Sequence, residues 1–195
     1  MNRDGDNLAD LVAQARAGEL EAFEQLYRSH QGGIYAFIKH QVGEAELAAD
    51  LTQQTFVRAW QSLPRLRKLG AFRAWLHRIA ANLVRDEMKS GRARLEVLAT
   101  SLGESDPIAH SPGLVGDWPE EAVLSEELRG AVRLALASLV PEQRAVVVMH
   151  HLEGMPVAEI AEALRVRPGT VMSRLARARA AMRECLGPYV EGNDE

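Results

Sequence analysis

Apolar positions along this chain recur mostly at helical spacing, and strand-like alternation is scarce. Leu8, Leu11, Val12 and Ala15 outline a short amphipathic helix that Gly18 can end. A second helix is expected from about Glu19 to Val42, carrying Phe23, Leu26, Tyr27, Ile34 and Phe37, with Gly43 as its stop. The Gly32-Gly33 pair inside it lowers helix propensity and is expected to mark a kink. A third helix spans about Glu44 to Ser62, with Pro64 beyond its end. The fourth has the clearest pattern. Phe72, Trp75, Leu76, Ile79, Ala80 and Leu83 follow i, i+3, i+4, i+7, i+8, i+11, a complete apolar stripe. Arg78, Asn82, Arg85 and Lys89 share another face, so one side suits a core and the other is cationic.

From Leu95 to Trp118 the apolar period disappears among Ser, Gly and Pro, which reads as a flexible acidic linker. Helices resume near Glu120, and one is expected to run to about Ser138. The run Ala145-Val146-Val147-Val148-Met149 has strand propensity, but Pro141 before it and Gly154 after it suit the ends of a helix. Residues 156–186 then read as a helix-turn-helix. Val157, Ile160, Ala161 and Leu164 form the first helix, Arg165-Val166-Arg167 the turn, and Pro168 opens the second. On that second helix Val171, Leu175, Ala178 and Met182 fall on one side. Thr170, Ser173, Arg174 and Arg177 fall on the other, with Arg167 just before them. Small residues that permit close approach and arginines that reach phosphates or guanine edges are what a recognition helix needs. The fold class is therefore all-α: two small helical domains, residues 1–94 and 119–188, joined by a flexible linker at 95–118 and followed by an acidic tail at 189–195.

Composition changes the picture in two ways. A single Cys excludes an internal disulfide framework, and apolar runs of at most five residues exclude a membrane-spanning helix. The N-terminus lacks the apolar stretch of a secretory signal, so a soluble, cytoplasmic protein with no membrane contact of its own is expected. The net charge of −4 alone argues against a polyanion partner, yet the charge is segregated. Residues 58–94 carry ten basic and two acidic groups, and residues 165–183 carry six basic and none acidic, with an acidic stretch between them. Two cationic blocks held apart suggest two contacts with nucleic acid, weakened by salt as counterions are released.

The segments Leu139-Val140-Pro141-Glu142-Gln143-Arg144, His151-Leu152-Glu153-Gly154-Met155-Pro156 and Gly169-Thr170-Val171-Met172-Ser173-Arg174-Leu175 resemble region 4 of bacterial sigma factors of the extracytoplasmic-function group. Asp50-Leu51-Thr52-Gln53-Gln54-Thr55-Phe56 and Phe72-Arg73-Ala74-Trp75-Leu76-His77-Arg78-Ile79-Ala80-Ala81-Asn82-Leu83 resemble region 2 of the same group, in the family's order. The resemblance implies a transcription initiation factor without catalysis of its own and without a cofactor or metal. Its partners would be the RNA polymerase core, at the beta-prime clamp and beta flap, promoter DNA and a controlling anti-sigma factor. Asp50, Gln53, Gln54 and Phe56 match the polymerase-docking motif. Arg65, Arg67 and Lys68 match the loop that helps capture a base expelled from the melted strand, and Arg78, Asn82 and Arg85 the part that faces the minus-ten element. Arg167, Thr170, Ser173, Arg174 and Arg177 would read the minus-thirty-five element. The chain departs from the family at Gln54, usually acidic, at Leu66, often aromatic, at Arg165, usually a turn glycine, and at Met172, often lysine.

Other features have plainer readings. Trp60, Phe72 and Trp75 lie at core spacing rather than as a stacking platform. The side chains of His150 and His151 diverge on a helix, which is a poor start for a metal site, and Cys185 reads as a small hydrophobe. Two rivals compete with the sigma-factor reading. One is a self-sufficient helix-turn-helix regulator, which would bind duplex DNA tightly without polymerase. The other is a DNA-acting enzyme such as a recombinase, which would need a nucleophile or carboxylate-metal cluster.

Overall fold

The computed structural model describes residues 3–102 and 126–190. The N-terminal half contains α1 (Arg3–Arg16), α2 (Leu20–Val42), α3 (Ala45–Ser62) and α4 (Phe72–Leu102), with two 3-10 turns, Leu63–Arg65 and Leu69–Ala71, between α3 and α4. The C-terminal half contains α5 (Glu126–Ser138), α6 (Pro141–Val147), a wide π turn at Val148–Leu152, α7 (Val157–Leu164) and α8 (Pro168–Val190). Strands are absent among the described residues.

Local chemistry accounts for most boundaries. Gly43 ends α2 in the left-handed conformation (φ 83°), where it donates its N–H to the Lys39 carbonyl at 2.8 Å. Pro141 occupies the first turn of α6, where its missing N–H costs nothing. The valine-rich run is helical, but at Val148 the winding loosens. Glu153 donates its N–H to the Val148 carbonyl, five residues back, at 3.2 Å.

One expectation changes. Gly32 and Gly33 lie within α2, whose helix continues past them to Val42. α4 continues through Leu102, into the stretch expected as linker at 95–118. Arg94, Leu95, Glu96, Leu98 and Ala99 are good helix formers, and the Ser, Gly and Pro that argue for a linker are dense only beyond them. The remainder of that stretch and most of the acidic tail lie outside the described residues.

In the N-terminal half α2 packs against α1, α3 and α4, and in the C-terminal half α8 packs against α5, α6 and α7. The stripe of α4 is core as expected: Phe72, Leu76, Ala80 and Leu83 are buried together with Trp75. Trp60 packs on Phe23 with ring centroids 4.8 Å apart. The halves are not separate in space. α4 packs on α7 and α2 on α6, so one continuous apolar cluster includes residues from both.

At this seam the buried guanidinium of Arg144 donates to five carbonyls. Three, those of Leu136, Ala137 and Leu139, lie at the end of α5, at 2.8–2.9 Å. The other two, His40 and Gln41, close α2 at 3.3 and 3.4 Å. Burial, with Arg144 and Lys39 adding repulsion, pushes the His40 imidazole down to about 4. A histidine held neutral in the fold takes up its proton in the unfolded chain first. Its contribution is therefore complete above about pH 6.5 and is lost as pH falls toward 4. Denaturant unfolding at pH 4.5 should show about 2–3 kcal/mol less stability from this group than at pH 7, and His40→Gln should flatten that part of the profile.

Candidate nucleic-acid interface

The first cationic surface is built from the α3–α4 connection and the outer face of α4. Leu66 is buried at the middle of that connection, its N–H bonded to the Leu63 carbonyl at 2.9 Å and its own carbonyl held by Arg16 Nη1 at 3.3 Å. Anchoring Leu66 inward leaves Arg65, Arg67 and Lys68 exposed around it. On α4, Arg78 is half-buried, while Asn82 and Arg85 are exposed and joined by a 3.0 Å bond from Arg85 Nη1 to Asn82 Oδ1. A notch of about 450 Å³ lies between these elements, lined by Arg58, Gln61, Ser62, Arg65, Ile79 and Asn82. No carboxylate lines it, so its field is positive.

The structure thus unites Arg65 with Asn82 and leaves Arg67, Lys68, Arg78 and Arg85 on the surrounding surface. It adds Arg58, Gln61 and Ser62, which the sequence reading passed over. Their i, i+3, i+4 spacing, continued by Arg65 at i+7, was a signal available on the page of the sequence.

The second surface is the helix-turn-helix, whose first helix, turn and Pro168 start fall where expected, while α8 runs on to Val190 rather than ending near 186. Val171, Leu175 and Ala178 are buried under α8. Arg167 and Arg177 are exposed, and Thr170, Ser173 and Arg174 are half-buried. Ser173 Oγ donates to the Thr170 carbonyl at 3.0 Å, which fixes its rotamer on the outer face. Arg165 makes the turn in the left-handed conformation at φ 55°, alone among the described non-glycine residues in having positive φ.

A third surface is the exposed stripe of α3. Asp50, Gln53 and Gln54 are exposed there, and Val57 continues the stripe at 49% exposure. Phe56 is a correction. It is 4% exposed and packs edge-on against Tyr27 with centroids 4.7 Å apart, so it lies beneath the exposed stripe rather than on it. The heptad geometry of α3 turns position 56 away from 50, 53 and 54. On the C-terminal half, an apolar groove of about 590 Å³ is lined mainly by Val132, Leu136, Val147, Leu152, Met182 and Leu186.

His150 Nδ1 is held by the Met155 carbonyl at 3.0 Å, with the His151 ring edge-on to it at 4.8 Å. Among the described residues no group of three or more His, Cys, Asp or Glu is placed to hold a metal ion. None of the helices there is long and apolar enough to cross a membrane. Cys185 is exposed.

The described residues thus form two helical modules, each with its own cationic face, and the second is a helix-turn-helix. Comparison with known proteins makes the class specific. Residues 26–94 match the family model described as Sigma-70 region 2, and residues 129–182 that described as Sigma-70, region 4. The chain is 34% identical over 179 residues to the ECF RNA polymerase sigma factor SigM of Mycobacterium tuberculosis, covering 92% of this chain and 84% of that one. It is 35% identical over 182 residues to the ECF RNA polymerase sigma factor BldN of Streptomyces coelicolor, covering 90% of this chain but 64% of that one, slightly under two thirds of its length. Among solved structures it is similar to CnrH in complex with the cytosolic domain of CnrY, with a TM-score of 0.65, 28% identity and coverage of 93% and 97% of the two chains. The chain belongs to the extracytoplasmic-function RNA polymerase sigma factors.

Glycine at the turn would remove the steric cost of a left-handed side chain. Arg165→Gly should therefore raise stability by about 1 kcal/mol in thermal or denaturant unfolding.

Proposed function

We propose that this chain is a promoter-specificity subunit that binds core RNA polymerase, directs it to a limited set of promoters and promotes strand opening, with no catalysis of its own. The single observation that carries this reading is the pair of cationic surfaces on two separate helical modules, in the order of family regions 2 and 4. One surface has a notch and the other a recognition helix.

In this reading the N-terminal half, through α4, handles the minus-ten element. The notch between Arg65 and Asn82 falls within the roughly 300–1,000 Å³ of small-molecule sites, and it receives a base expelled from the melted strand. Opening a duplex costs a few kcal/mol per disrupted base, and a cationic face that grips the released strand offsets it. The C-terminal half reads the minus-thirty-five element through Arg174 and Arg177, with Thr170 and Ser173 for close contact. Met172, 57% exposed, offers an apolar contact to a thymine methyl in place of a cation.

The Asp50, Gln53, Gln54 and Val57 stripe fits the beta-prime clamp, and the apolar groove beside Leu136 and Met182 fits an apolar segment of the beta flap. The protein would act in the cytoplasm, where polymerase works. The presence of CnrY in the CnrH structure supports control by an anti-sigma partner here as well.

Run-off transcription with purified core polymerase on genomic fragments is the decisive measurement. Specific starts that require this protein are expected, and none would defeat the reading. Arg174→Ala should lower promoter-specific initiation about tenfold or more, the discrimination of one bidentate base contact, with core affinity unchanged. Asp50→Arg should do the reverse, weakening core binding in a pull-down while leaving α8 intact.

A further inference from the structure

We propose that Glu153 is an intramolecular latch that holds the two halves closed and thereby keeps the free protein from engaging both promoter elements at once, a form that core polymerase, binding one surface on each half, must open. The inhibitory half of this inference rests on the function proposed above; the latch itself rests on geometry.

Glu153 follows the π turn of the C-terminal half, and its carboxylate is buried in the N-terminal half. Its Oε2 lies 2.6 Å from His77 Nε2 on α4, and Arg73 Nη2 is 3.9 Å away. Arg73 Nη2 also donates to the Glu153 backbone carbonyl. The other ring nitrogen, His77 Nδ1, faces the Arg73 carbonyl at 2.9 Å and must donate to it. With Nδ1 donating there, the short Nε2–Oε2 contact is a hydrogen bond whose proton sits on one of those two atoms.

The opposite wall is Gly33 of α2. A Cβ there would meet Glu153 Oε2 at 3.2 Å and Cδ at 3.5 Å, and no other heavy atom within 4 Å outside the adjoining helix backbone. A glycine in mid-helix lowers helix stability. Here its absent side chain is room left for a carboxylate that arrives from 120 residues further along the chain.

The closed arrangement cannot read a promoter. Arg85 and Lys89 of α4 and Arg174 of α8 line one cleft of about 460 Å³ at the seam. That is the size of a small-molecule site, whereas a major groove alone is about 12 Å wide and 8.5 Å deep. The two promoter elements are centred about 25 base pairs apart, roughly 85 Å along a duplex at 3.4 Å per step. One cleft shared by both reading faces excludes simultaneous contact with both elements. The seam is also built to part. The cleft withholds packing from both of its walls, and Glu153 Oε1 is buried without a hydrogen-bond partner.

The test uses the full chain with one dye on Cys185 and another on a cysteine replacing exposed Glu21, read by energy transfer, alongside titration with core polymerase. Glu153→Ala removes the latch. Gly33→Leu displaces it from the other side while favouring the helix that bears it. Both variants should keep wild-type helicity by circular dichroism, lower the transfer efficiency, and bind core about tenfold more tightly as the competent fraction rises. Unchanged transfer in both variants overturns the latch. Lower transfer with unchanged core affinity overturns its inhibitory role. If neither the wild type nor the variants bind core at all, the proposed function fails, and the transfer measurement still decides the latch.

Discussion

Five backbone carbonyls converge on the guanidinium of Arg144, and the arrangement of the two halves depends on that convergence. The C-termini of α5 and α2 both present unsatisfied carbonyls and the negative ends of their helix dipoles. Directed at each other in a buried seam they would repel and remain unpaired. Arg144 lies between them, and among the described residues no carboxylate pairs with it, so its charge is balanced by dipoles. Its planar fork supplies donors in several directions at once, which a lysine ammonium at the same point would not match. The same side chain also fixes the turn into α6, and α6 leads through the π turn to the helix-turn-helix. One residue therefore sets both the internal geometry of the C-terminal half and its seat on the N-terminal half.

What was legible in the sequence was what local chemistry decides. Gly43, Pro141 and Pro168 mark boundaries because backbone φ and missing donors act within one turn, and the α4 stripe is a period readable in twelve residues. Phe56 was misplaced for an instructive reason. A motif match assigns a role to a position, while the helix assigns it a direction, and three-dimensional direction prevails. The contacts across the seam had no sequence signal of their own. Glu153 and His77 are 76 residues apart, and no periodicity links a residue after a turn to one inside a distant helix. Gly33 carried a trace of it, since a mid-helix glycine calls for a packing reason. That reason becomes visible only when the other half is in place.

The charge pattern gains its meaning from the same seam. A chain of net charge −4 binds a polyanion only by concentrating its cations; α4, which carries much of the first block, packs on α7 of the other half, and Arg174 of the second block lines the same cleft as Arg85 and Lys89. In the closed form Arg85, Lys89 and Arg174 face a common cleft, with Glu142 as the acidic residue among its lining. Like charges gathered there raise the free energy of closure, and apolar burial together with the Glu153 contact offsets it. Separation relieves the repulsion and presents the same side chains to phosphates.

α4 is where these demands meet. Its inner stripe holds the N-terminal core, its outer face carries Arg78, Asn82 and Arg85, and its first turns carry Arg73 and His77, which grip Glu153. A rigid helix cannot alter one of these faces without carrying the others with it. Any partner that shifts α4 by binding the N-terminal half therefore acts on the Glu153 contact directly, and anything that pulls α7 away widens the cleft that Arg85 lines. The coupling needs no relay of side chains between distant sites, because a single two-state element, the seam along α4, is biased from both ends.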